Sequence, residues 1–104
     1  MNTYLGNAFS LQMLDTAVST DIRVTPVDAS VVANANFTSV IGHPDTAAVV
    51  SNILGKDVDC NRVSVSLSKD DILYVAQVVG GRLPAGATTL PDGFSLTFLK
   101  VTIL

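Results

Sequence analysis

A chain of 104 residues, 48% hydrophobic and 14% charged, is one domain with enough apolar residues for a real core. Its net charge of −3 argues against bulk binding of DNA or RNA, no apolar run approaches the ~20 residues of a membrane span, and Met1-Asn2-Thr3-Tyr4 does not read as a signal peptide. Cys60 stands alone, which excludes an intramolecular disulfide, suits a reducing cytoplasm and reads as a small apolar filler.

Thr3-Tyr4-Leu5 reads as a short strand ending in Gly6-Asn7, where Gly6 permits close backbone approach. Ser10 is a credible N-cap for a short helix that turns Leu11 and Leu14 inward. Asp21–Val27 alternates as a half-buried strand does, with Pro26 placing it at an edge or a terminus. Asp28 caps a short helix over Ala29–Ala35, with Val31 and Val32 inward and Asn34-Ala35-Asn36 breaking it. Phe37–Ile41 is a brief strand feeding the turn Gly42-His43-Pro44.

Pro44 suits the first turn of a helix, Asp45 complements the helix dipole, and Ala47, Val50, Ile53 and Leu54 make one apolar face before Gly55 stops it. Lys56–Asn61 is a loop. Arg62–Leu67 alternates strictly and predicts a hairpin with the apolar run Ile72–Val79, a central strand buried on both faces. Gly80–Gly86 is too rich in glycine for a strand, and Phe94–Ile103 is a long final one. The sum is an α/β fold: a single small domain, residues 1–104, with a mixed sheet of about five strands and two or three short flanking helices. Some of the apolar surplus is expected to be covered by a partner subunit, making a homodimer.

One histidine, one cysteine and no dense carboxylate cluster give no metal-ligand set, and no glycine fingerprint for a nucleotide cofactor occurs, so neither metal nor cofactor is expected. His43 is the one acid–base candidate. It stands where a helix start offers free N–H groups to an anion, and imidazole titrates near neutral pH. It reads either as a group that handles a phosphate ester or as an ordinary capping or surface residue. Gln77 reads equally as a ladder-end amide or a ligand contact, and Arg82 as a solvated loop residue or a phosphate clamp. RNA phosphodiesters carry their own nucleophile, the 2′-hydroxyl. One histidine that protonates the leaving 5′-oxygen, with arginine or amide clamps, would suffice to cut them.

Five stretches carry a resemblance: Tyr4-Leu5-Gly6-Asn7-Ala8-Phe9-Ser10; Ile41-Gly42-His43 with Thr46; Asn61-Arg62-Val63; Leu73-Tyr74-Val75-Ala76-Gln77; and Arg82-Leu83-Pro84 with Gly86. In this order they are similar to the small viral ring nucleases that act as anti-CRISPR proteins against type III systems. The resemblance implies a homodimer that binds cyclic tetra-adenylate across its two-fold axis and cuts the ring to linear di-adenylate. It implies His43 as general acid, Arg62 and Arg82 as phosphate holders, and Asn7, Ser10, Thr46 and Gln77 as ligand contacts. It also places the protein in a cytoplasm, that of the host if a virus encodes it. The family pattern runs Arg-Leu-x-Glu-Gly, and this chain has Ala85 at the glutamate. A carboxylate there would favour the imidazolium, so weaker cleavage with retained binding is expected. The alternatives are a non-catalytic binder of cyclic oligoadenylates and a structural interaction protein of a virus or mobile element.

Overall fold

The computed structural model describes Met1 to Leu104. Its elements are β1 (Thr3–Gly6), a single 3-10 turn (Leu11–Met13), β2 (Ile22–Val27), α1 (Ala29–Ala33), β3 (Thr38–Ser39), α2 (Pro44–Leu54), β4 (Ile72–Val79) and β5 (Ser95–Ile103). One mixed sheet in the order β2-β5-β4-β1-β3 holds all five strands. β1 runs parallel to both β3 and β4, whereas β5 lies antiparallel between β2 and β4. The predicted α/β class and strand number therefore hold. No helix is long and apolar enough to cross a membrane.

The pleat divides the core in two. On one face α1 and α2 pack Val32, Ala47, Val50 and Leu54 against Leu5, Tyr74, Ala76 and Phe98. On the other, Leu73, Val75 and Val101 gather with Val40 beneath half-buried Phe9, Met13, Val65 and Leu67. Of the run Ile72–Val79, expected to be buried on both faces, only Leu73–Ala76 are, whereas Ile72 and Val78 are half-buried and Gln77 and Val79 are exposed at the far end of β4. Gly6 permits the anticipated close approach, since a Cβ there would stand 3.3 Å from Val40 Cγ2.

The Arg62–Leu67 strand is a correction. The segment has no ladder, because β5 and β1 already occupy both edges of β4. Its alternation survives in part as a packing pattern: Val65 and Leu67 lie against the second face, Val63 is exposed, and the Leu67 N–H donates to the Met13 carbonyl at 2.8 Å. β4 makes its antiparallel pair with β5 instead, across the Gly80–Phe94 connection.

Smaller corrections share one cause, the absence of a covering layer. Leu11 is exposed, because a lone 3-10 turn packs Met13 half-buried against the second face and leaves its outer side in water. Val31 is exposed although its neighbour Val32 is buried. Arg23, Val24, Thr25 and Pro26 are exposed on the edge strand β2, which is less covered than half-buried. Cys60 is exposed as well, forms an isolated parallel bridge with Ile41, and fills no core. In α2 Ile53 is exposed and Val49 is fully buried in its place. The helix itself starts at Pro44 and ends at Gly55, at φ 69°, as predicted.

Two side chains fasten the frame. Lys56 Nζ donates to the carbonyls of Ala33 and Ala35 and lies over the Phe37 ring, closing the exit from α1. Asp71 is the one buried charged residue: its carboxylate accepts from Ser68 N–H at 2.9 Å and Asn2 N–H at 2.8 Å, tying the start of β1 to that of β4. Those N–H groups, that of Ser68 foremost, hold the carboxyl below its ordinary value against the opposing effect of burial, helped by the terminal ammonium. Because the folded value is the lower one, the stabilisation is complete above the unfolded value, about 3.9, and is lost as pH falls through the folded value. Asp71→Ala should cost about 1–3 kcal/mol at neutral pH. Urea titrations should show the gap from wild type closing in acid, below about pH 4.

Candidate functional site

The parallel strands set the site. β1 and β4 run side by side with Gly6 opposite Val75, so the residues just beyond β1 meet the last part of β4. The turn after β3 delivers His43 to the start of α2 on the same side. An open cleft of about 350 Å³ results, lined by Asn7, His43, Asp45, Thr46, Gln77 and Arg82, with Ala76, Val78, Gly81 and Leu83 completing its walls. Carboxyl ends of parallel strands are where open α/β sheets bind ligands, because loops and helix starts converge there.

His43 is the N-cap of α2, with extended backbone and no side-chain cap bond, so its exposed imidazole is uncommitted. Pro44 has no N–H, and the Asp45 and Thr46 amides are among the groups that a helix start leaves unpaired. Asn7 Oδ1 accepts from Gly42 N–H at 3.2 Å, which fixes the turn before His43 and leaves the Asn7 NH2 as the group it offers to the cleft. Gln77, paired with Thr97 across the ladder, is exposed at the rim. Arg82 comes from the Gly80–Gly86 loop, whose glycines 80, 81 and 86 all take positive φ. The wall thus combines a free imidazole, amide donors and one guanidinium, donors suited to an oxyanion, with the Asp45 carboxylate, one oxygen of which accepts from Gly86 N–H.

Three sequence-selected residues lie outside the lining. Ser10 accepts from Gln12 N–H at 3.2 Å and caps the 3-10 turn. Arg62 lies behind the histidine turn, its stem so close to Gly42 that a Cβ there would stand 3.2 Å from Arg62 Cγ. Ala85 is exposed, next to Gly86, whose N–H donates to Asp45 Oδ1 at 2.9 Å. Sequence reasoning missed Asp45 as a lining residue. The available signal was its place in the first turn of α2, two residues after His43. No three His, Cys, Asp or Glu side chains come together as metal ligands would.

Fold and cleft together define a small α/β domain that presents an anion-suited pocket at the carboxyl end of its parallel strands. A family model described as STIV B116-like matches residues 3–93. The chain belongs to the STIV B116-like family. Among solved structures it is similar to B116 of Sulfolobus turreted icosahedral virus, with a TM-score of 0.79 at 22% identity, over 98% of this chain and 99% of that one. That likeness is one of fold. No curated protein matches the chain in sequence.

Proposed function

We propose that this protein is a metal-independent ring nuclease that binds cyclic tetra-adenylate and cuts it to linear di-adenylate, silencing type III CRISPR signalling in the cytoplasm of a virus's host. One observation carries this reading: an unengaged imidazole at a helix start shares a cleft with a guanidinium and two side-chain amides. In the proposed reaction a ribose 2′-hydroxyl attacks its neighbouring phosphorus, its proton passing to solvent water, and the bond from that phosphorus to the 5′-oxygen breaks. His43 gives its proton to that oxygen, leaving a 2′,3′-cyclic phosphate and a 5′-hydroxyl. Thr46, Asn7, Gln77 and Arg82 bind and orient the ring, while Arg62 and Ser10 reach it only if the ligand extends beyond the cleft.

A ring of four phosphates asks for two such sites, hence a homodimer. The surface offered to the second copy is an apolar groove on the sheet face away from the helices, lined by Phe9, Val24, Val75, Leu99 and Val101. It is continuous with the cleft, since Asn7 and Gln77 line both. Incubation with cyclic tetra-adenylate in chelator, read by mass, should yield di-adenylate, and sedimentation should show a dimer. Binding without cutting would make the protein a sponge. No affinity at all would leave a structural interaction protein.

Ala85 bears on the rate. An Ala85→Glu variant places a carboxylate in the same loop as Arg82. Single-turnover cleavage should rise about tenfold, less than the 10²–10⁴-fold span of full acid–base assistance, with little change in affinity. Equal rates would show that a glutamate at this position does nothing for His43.

A further inference from the structure

Val49 is fully buried yet lies outside the cluster that joins α2 to the sheet. Its neighbours along the helix explain this. Asp45 and Asn52 share its stripe, and both hold the long connection between β4 and β5 by hydrogen bonds. Asp45 Oδ1 accepts from Gly86 N–H at 2.9 Å, and Asn52 Nδ2 donates to the Thr88 carbonyl at 3.2 Å. The connection is therefore strapped lengthwise along α2, with an apolar residue between two polar fastenings. Only the first fastening lies at the cleft, where Asp45 shares the wall with Gly81, Arg82 and Leu83.

We infer that Asp45 is a positioning residue for Arg82. Glycines at 80, 81 and 86, all at positive φ, let the loop take its path and also give the free loop a wide choice of others. The Asp45 carboxylate selects the path that brings the guanidinium to the His43 side, so the ordering cost is met before ligand arrives. It acts as a hydrogen-bond acceptor, and its charge is incidental. The inference deepens the proposed function and rests on it for the identity of the ligand, while the strap itself is testable without any ligand.

The test uses the full chain and the variants Asp45→Ala, Asp45→Asn, Arg82→Ala and Asp45→Ala/Arg82→Ala. Amide exchange at Gly86 should quicken about tenfold in Asp45→Ala, as expected for one lost hydrogen bond. It should stay near wild type in Asp45→Asn, which keeps an acceptor oxygen. Affinity for cyclic tetra-adenylate should fall roughly fivefold in Asp45→Ala and hold in Asp45→Asn. In the Arg82→Ala background the Asp45→Ala change should cost nothing further, since the two act as one unit. Unchanged Gly86 exchange, equal losses in the Asn and Ala variants, or a full Asp45→Ala loss without Arg82 would each overturn the inference. A wild-type chain that ignores the ring would refute the proposed ligand, and Gly86 exchange would then decide the strap alone.

Discussion

His43→Ala is expected to slow single-turnover cleavage of cyclic tetra-adenylate by about 10²–10⁴-fold while leaving affinity within a few-fold of wild type. The separation follows from the geometry. The imidazole makes no cap bond to α2, so its removal opens no hole and leaves no helix amide newly unpaired. The helix keeps Pro44 at its first turn and the Asp45–Gly86 fastening, and thermal stability should hardly move. On the proposed reading, binding rests on groups in the cleft that the substitution does not touch, the Asn7 and Gln77 amides, Thr46 and Arg82. What disappears is the proton that the leaving 5′-oxygen must collect. The converse variant, Arg82→Ala, should weaken binding first, because it removes the charge that faces the phosphates. A His43→Ala chain that cuts as fast as wild type would refute His43 as the group that protonates the leaving oxygen.

What was legible in the sequence was local. Pro44 and Gly55 bracket α2 through their own backbone preferences, and the runs Thr3–Leu5, Ile72–Val79 and Phe94–Ile103 announce β1, β4 and β5. Non-local pairing was hidden. The alternation of Arg62–Leu67 fits a strand, but which segments lie beside β4 is decided by residues far away in sequence, and both places were taken. The α2 face Ala47, Val50 and Leu54 holds, while Ile53 is exposed and Val49 is buried between fastenings to Gly86 and Thr88, neither of which helical periodicity can foresee. The site divides along this line too. Asn7, His43, Gln77 and Arg82 converge because each lies at or just beyond a strand end on one side of the sheet, and strand ends can be read locally. Asp45 was assigned to the helix dipole because its partner is 41 positions on.

Leu5→Ala is expected to destabilise the fold by about 2–5 kcal/mol, against a total of about 5–15 kcal/mol for a typical domain. Leu5 is fully buried on β1, which has β4 on one side and β3 on the other, so little can collapse into the space it leaves. Above it lies the α2 layer of Ala47, Val50 and Leu54, all members of the same cluster. Leu11, equally large and exposed, provides the contrast: Leu11→Ala should stay within about 0.5 kcal/mol of wild type. Urea unfolding distinguishes the two, with a lower midpoint and unchanged slope for Leu5→Ala. The consequence reaches the cleft, because two residues beyond Leu5 the Asn7 side chain holds the Gly42 N–H beside the histidine turn. Loss of packing at Leu5 should therefore show in exchange of the Gly42 amide well before global unfolding. A midpoint shift no larger than that of Leu11→Ala would mean that β1 is not the packed centre of this sheet.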